Sequence, residues 1–381
     1  MFHRRARTRM AALAGAALGL GCTEAMADWG LLNLPRGVTP ISQAAYDLHM
    51  LILWICVIIG IVVFGVMFYS MLVHRKSAGA EPAQFHHSTA AEIIWTAIPM
   101  LILILMAIPA TKSLILIEST GDSDLTIKIT GYQWRWHYQY IEEDFGFFSS
   151  LAPDSNEARQ LKSGIDPNEI ENYLLEVDNP VVVPVNTKIR FMTTAADVIH
   201  SWWVPALGWK RDSIPGFINE SWAIIEEEGT YRGQCAELCG RDHAFMPIVL
   251  KAVSEDEYYD WAGDMMVAVM DAEAGADREW AMDELMERGE QVYSTFCVAC
   301  HQVNGMGIPG AFKPLVGSPV TTGPLDGHID TVMNGVAGTA MAPFGMQLND
   351  VDIASVITYE RNSWGNDLGD MVQPSMIADR R

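Results

Sequence analysis

Two long apolar runs near the front of the chain restrict the fold more than any other feature. Met50–Val73 is a stretch of 24 residues without a charge, and Ile93–Thr111 is another of 19. About 20 such residues in a helix cross the hydrocarbon of a bilayer. In lipid a lone segment must satisfy its own backbone hydrogen bonds, which a helix does and a strand does not. A transmembrane helical hairpin over residues 44–117 is therefore predicted. Its connector carries Arg75 and Lys76 against Glu81, so the positive-inside rule puts this short loop in the cytoplasm and everything after residue 118 outside. Upstream, Arg4, Arg5, Arg7 and Arg9 precede an apolar run from Met10 to Leu20 and then Ala25-Met26-Ala27, the pattern of a secretory signal over residues 1–27. Cys22 would leave with that signal. A lipid-bearing cysteine would want a larger aliphatic three residues before it than Gly19.

Of the 381 residues, 47 are acidic and 25 basic, for a formal charge of −22, and most of the acids follow residue 117. This excludes nucleic acid as a natural partner and suits a basic protein partner, or serves solubility alone. Cys56, in mid-span, reads as a small buried thiol. Glu92 sits at the cytoplasmic edge of the second span, where an acid complements a helix dipole.

The segment from Gly233 to Pro247 carries the chemistry: Cys235, Cys239, His243 and Met246 fall within 12 residues. Soft sulfur with imidazole selects copper or zinc, and a thioether in the set favours copper. The spacings would also fit a helical stripe, but Gly233, Gly240 and Pro247 punctuate the stretch and favour a loop between strands. A disulfide between Cys235 and Cys239 suits an oxidising compartment but leaves His243 and Met246 without a role. A second imidazole would complete a two-metal site. His200, in Asp197-Val198-Ile199-His200-Ser201-Trp202-Trp203-Val204-Pro205, is the candidate.

With Gly131-Tyr132-Gln133-Trp134-Arg135-Trp136, these segments resemble the signatures of cytochrome c oxidase subunit II, and the resemblance covers residues 44 to 252. It implies an all-β cupredoxin-like barrel over 118–252 that holds a dinuclear copper centre. Cys235 and Cys239 would bridge the coppers, His200 and His243 would each complete one, and Met246 would be a weak ligand. Glu237 would turn its carbonyl towards copper and its carboxylate towards magnesium at the border with subunit I. Trp134 would be the point where electrons enter, and Glu92 the mouth of a proton path. Arg135 and His137 depart from the commonest form of the tryptophan run.

Residues 253–281 are acidic and alanine-rich and read as a helical or flexible linker. Beyond them, Cys297-Val298-Ala299-Cys300-His301 is the c-type haem attachment motif, with a redox dithiol as the alternative. Predicted helices at Met282–Phe296 and Asn349–Asn362 flank it, as in an all-α class I cytochrome c over 282–370. Within Gly338–Phe344, Met341 resembles the distal haem ligand, with Met333 and Met346 as rivals. The sequence thus reads as a multidomain membrane protein of the bacterial plasma membrane. It would pass electrons from a periplasmic cytochrome c or other donor, through haem c and copper, to subunit I of a proton-translocating oxidase, in which subunit III is a further expected partner. Two spans cannot house a multi-histidine haem-copper centre, so oxygen reduction belongs to the complex. The electron-input part of a nitric or nitrous oxide reductase, or a membrane-tethered carrier, are the competing readings.

Overall fold

The computed structural model describes residues 33–81, 86–160, 163–275 and 278–381. The signal-like segment 1–27, Cys22 included, and residues 276–277 of the acidic connector lie outside the described residues. The described chain divides into two units, one formed by residues 33–37 and 42–113 and the other by residues 38–41 with 114–381.

The first unit holds most of α1 (Pro40–Val73) and α2 (Thr89–Ile117), of 34 and 29 residues. Their apolar windows have mean hydropathies of 3.1 and 2.4, and none of either window is buried within the protein. Side chains such as Ile61 and Leu103 are about two-thirds exposed, at 68% and 67%. So much bare aliphatic surface is unfavourable in water and neutral against lipid tails. At 1.5 Å per residue each helix exceeds the roughly 30 Å of hydrocarbon it has to cross.

The second unit opens with a two-sheet sandwich. One sheet contains β1 (Leu125–Tyr132), β2 (Arg135–Tyr140), β3 (Phe145–Ser149), β5 (Lys188–Ala195) and β8 (Asn219–Ile224), in the order β3-β2-β1-β5-β8. The other contains β4 (Val181–Pro184), β6 (His200–Val204), β7 (Trp209–Ser213), β9 (Gly229–Cys235) and β10 (Pro247–Val253), in the order β4-β10-β9-β6-β7. A short helix, α3 (Pro153–Ala158), follows β3. Along β1 and β5 alternate residues point inward, placing Leu125, Ile127, Ile129, Ile189 and Phe191 in the core. This follows from the two-residue period of a strand with one buried face. Trp136, Tyr138, Tyr140 and Trp202 fill the space between the sheets and are fully buried. The arrangement is a cupredoxin-like β-sandwich.

The acidic connector is helical over Glu255–Ala274 (α4). Tyr258 and Ala262 on this helix are buried, and Trp261, Met265 and Val269 pack against the sandwich core. These positions recur every three or four residues, the spacing of one helix face. The Trp261 ring lies 5.3 Å from that of Tyr140.

The final part is all helical: α5 (Met282–Phe296), α6 (Val298–His301), α7 (Leu325–Asn334), α8 (Asp350–Asn362) and α9 (Pro374–Ala378). Asn349 caps α8 by accepting from the Asp352 amide at 2.8 Å, which satisfies one of the free N–H groups of a helix start. Helices α5 and α8 cross closely at Gly289, where a Cβ would stand 2.2 Å from the Ser355 carbonyl oxygen. Around this crossing a second core forms from Val292, Tyr293, Ile329, Val332, Ile353 and Ile357.

Candidate metal and haem sites

Strand pairing assembles the sulfur and imidazole groups. β6 and β9 are antiparallel neighbours with Trp202 opposite Cys235, so His200 lies at the end of the sheet where β9 finishes. β9 also pairs with β10, with Gln234 opposite Pro247. The intervening residues 236–246 therefore form a loop closed at its base. Within it, the Cys235 and Cys239 sulfurs are 3.9 Å apart, too far for the roughly 2.05 Å of a disulfide. His200 Nδ1 lies 4.0 Å from the Cys235 sulfur and His243 Nδ1 lies 3.5 Å from that of Cys239. Met246 Sδ is 3.5 Å from Cys239 Sγ, and the Glu237 carbonyl oxygen is 3.4 Å from Cys235 Sγ. His200, Cys235, Cys239 and Met246 are buried. Ligand atoms of His200, Cys235 and Cys239 all fall within 4.8 Å of one another. Soft donors crowded at this spacing, without a bond between the sulfurs, fit a copper pair.

Neighbouring residues set the ligand orientations. The Asp197 carboxylate lies 2.9 Å from His200 Nε2, so it accepts that N–H and leaves the Nδ1 lone pair facing Cys235, the usual outer-shell device of a metal-binding histidine. Burial opposes charge on His200, but its hydrogen bonds to Asp197 and Cys235 outweigh burial and raise its pKa. The Cys239 thiol, hydrogen-bonding to Cys235, holds the Cys235 thiol down at about 3, while Cys239 itself is pushed up by that thiolate and by burial. A second positive charge close by would release the remaining proton. Gly131 makes room for the His200 ring, since a Cβ there would stand 2.7 Å from Cδ2. Gln133 Nε2 and Trp134 Nε1 both donate to the Cys239 carbonyl, at 2.7 and 3.2 Å. Trp136 Nε1 donates to the Met246 carbonyl at 3.4 Å. Asp197, Gly131 and Gln133 carry roles that residue type and spacing do not reveal, although each lies inside one of the motif segments. An acid three residues before the histidine was the available signal for Asp197.

In the helical module Cys297 and Cys300 are free thiols. His301 Nδ1 lies 2.9 Å from the Lys313 carbonyl and donates to it, which leaves Nε2 with its lone pair. Burial, then the Glu360 carboxylate, pushes the Cys297 thiol up, and burial pushes Cys300 up to about 11. Redox dithiols instead have a lowered thiol pKa, which these two thiols do not show. Met341 is half-buried and packs against the module's core, Met333 lies within that core on α7, and Met346 is 96% exposed. His301 and Met341 are thus available as one imidazole and one thioether donor.

Glu237, whose carbonyl faces Cys235, is itself exposed on the copper loop. Glu92 stands in the first turn of α2, exposed on the helix and lining a shallow hollow with Thr89, Ile93, Thr96, Ala97 and Met100. The copper and haem sites share a boundary. Arg135, next to Trp134, holds its guanidinium 4.2 Å from the centre of the Phe296 ring, which directly precedes Cys297. Arg241, two residues after Cys239, donates to the Ala299 carbonyl at 3.1 Å.

Comparisons with known proteins match this layout part by part. Residues 27–113 match the description "Cytochrome C oxidase subunit II, transmembrane domain", residues 125–253 match "Cytochrome C oxidase subunit II, periplasmic domain", and residues 284–359 match "Cytochrome C oxidase, cbb3-type, subunit III". Over 224 residues the chain is 42% identical to the probable cytochrome c oxidase subunit 2 of Rickettsia prowazekii (strain Madrid E), covering 58% of this chain and 68% of that one. The chain belongs to the cytochrome c oxidase subunit II family. It is also 37% identical over 251 residues to cytochrome c oxidase subunit 2 of Triticum aestivum, covering 66% of this chain and 95% of that one. The crystal structure of the periplasmic domain of subunit II of cytochrome oxidase (CoxB) of Bradyrhizobium japonicum is 44% identical and covers 38% of this chain and 96% of that chain, with a TM-score of 0.34. As a subunit II, the chain is a membrane protein with a periplasmic domain and a partner of subunit I in a haem-copper oxidase complex. The family brings copper, and the added cytochrome c domain brings haem c.

Proposed function

We propose that this chain is the electron-input subunit of an oxygen-reducing, proton-translocating terminal oxidase of a bacterial plasma membrane. A periplasmic donor delivers electrons to the haem module, and the copper domain hands them on to subunit I. Cys297 and Cys300 would hold the haem, with His301 and Met341 as the ligands to its iron. His200, Cys235, Cys239, His243 and Met246, with the Glu237 carbonyl, would hold two coppers. Loaded in this way, both groups supply one-electron chemistry and leave no position open to a substrate. The Glu237 carboxylate, a hard oxygen donor on the exposed side of the copper loop, suits a magnesium ion at the subunit I border. Glu92 would take protons from the cytoplasmic side, and subunit III is a further expected partner.

One observation supports a route between the two groups. The Trp134 indole donates to the carbonyl of Cys239, and the following residue touches the ring that precedes Cys297. These contacts support Trp134 as the point where electrons enter the copper domain. A tethered haem module also meets the copper domain at a high effective concentration. Stopped-flow reduction of the purified complex by a soluble donor tests the order. Reduction of haem c before copper is expected; copper reduced first would overturn it.

A further inference from the structure

We propose that Arg135 and Arg241 form a two-point clasp that seats the haem module on the Trp134 face of the copper domain. The proposal rests on the reading that electrons pass from the haem module to that domain. Both arginines belong to the copper domain and flank Trp134. Arg135 follows it in β2, and Arg241 lies in the loop whose Cys239 carbonyl receives the indole N–H.

Their targets all lie on the haem module's attachment face. Arg135 Nη2 donates to Gln347 Oε1 at 2.8 Å, and its guanidinium lies 4.2 Å from the Phe296 ring centre and 5.6 Å from that of Phe344. On its own side it packs 5.0 Å from Phe148, whose ring meets Phe296 edge-on at 5.3 Å. Arg241 Nη2 bonds the Ala299 carbonyl inside the attachment motif, and its guanidinium lies 5.4 Å from the Phe312 ring. Phe296 and Ala299 adjoin the attachment cysteines, and Phe344 and Gln347 follow Met341 by three and six residues.

Arg135 is only 6% exposed, and among the described residues it forms no ion pair. A buried cation without a carboxylate is costly unless other groups receive it. Here aromatic faces and one amide oxygen do so, and its Nε has no partner among the described residues. A planar guanidinium stacks on rings and donates in its plane at the same time, which an ammonium cannot do. The Arg135 contact is buried and holds no acid, so it is screened little by salt, whereas Arg241 is more exposed and also pairs with Asp242 at 3.1 Å. The clasp thereby keeps the haem module as resident occupant of this face, and soluble donors meet the haem module instead.

The test uses the full complex carrying Arg135→Ala, Arg135→Lys, Arg241→Ala or the double Arg135→Ala/Arg241→Ala change. After flash photoreduction of haem c, transfer to copper should be independent of salt in the parent. It should slow at least tenfold in the double variant, with haem and copper contents unchanged, and Arg135→Lys should slow it as much as Arg135→Ala does. Independently of activity, hydrogen exchange of the amides in 296–302 should accelerate about tenfold in the double variant. Unchanged transfer and unchanged exchange in a fully loaded double variant would overturn the clasp. Should the arginine variants fail to assemble, Gln347→Ala with Phe344→Leu removes the receiving side and faces the same two outcomes. Reduction of copper before haem in the parent would defeat the relay reading, while the exchange measurement would still decide the clasp.

Discussion

His137 makes the copper domain sensitive to acid in a way that can be calculated. Its ring is half-buried on β2, 4.7 Å from the Phe148 ring, and so close to β3 that a Cβ on Gly146 would stand 3.1 Å from its Cε1. Burial, then the charges of Lys128 and Arg135, push its pKa down from 6.5 to about 4. Above about pH 7.5 the ring is neutral in both folded and unfolded chains and contributes no pH dependence. Between 6.5 and 4 the unfolded chain takes up a proton that the folded chain refuses, so stability falls as pH falls through this window. At about 1.36 kcal/mol per pH unit, the loss between pH 7.5 and 5.0 is at most about 2 kcal/mol, and solvent contact on the ring reduces it to about 1–2 kcal/mol. Asp178 acts in the opposite sense. Burial raises its pKa to about 6, so acid favours its folded form between about 4 and 6, and a single pH series would mix the two. Comparison with His137→Phe cancels Asp178, which is present in both proteins. Urea midpoints of the detergent-solubilised chain, followed by tryptophan fluorescence at the two pH values, should show the parent losing about 1–2 kcal/mol more than the variant. An equal loss in both would mean that the His137 ring is solvated in the fold, and the reasoning would fail.

Three further outcomes bear on the sites. Cys235→Ser or Cys239→Ser should abolish the mixed-valence copper spectrum, because thiolates are the strong ligands, whereas Met246→Leu should keep most of the copper and shift its potential; equal copper and unchanged spectra in all three would remove the assignment. Met341→Ala should change the haem's sixth coordination in its visible spectrum while Met346→Ala, at the 96% exposed position, should not; the reverse result would transfer the ligand role. Glu92→Gln should lower steady-state oxygen consumption with haem, copper and their reduction rates near normal, and full turnover in an assembled variant would leave Glu92 without a part in proton uptake.

Much of the architecture could be read along the chain because the signals are local. Uncharged runs of 24 and 19 residues have few alternatives to crossing a membrane, since the requirement to pair every backbone group in lipid acts on each segment alone. The attachment motif at Cys297–His301 and the cysteine loop at 235–246 were legible for the same reason, with the chemistry held in a few consecutive residues. The connector carried a weaker signal. Its alanines and acids allow either a helix or a tether, and it became a packed helix because Tyr258, Trp261 and Ala262 share a face that the sandwich covers.

Tertiary structure decided what depends on residues far apart in sequence. His200 stands beside Cys235 because β6 pairs with β9, and the sequence offered only its type and its aromatic neighbours. Among the three methionines, burial separates Met346 from Met341, and burial is a property of the folded surface. Arg135 is the sharpest case. In the sequence it is a lone cation that departs from the usual tryptophan run; in the fold it is buried among rings contributed by residues 148, 296 and 344 and bonded to Gln347. Side-chain type and spacing determine which chemistry a segment can perform. Which distant segments meet is set by strand register and by the apolar surface that their packing removes from water.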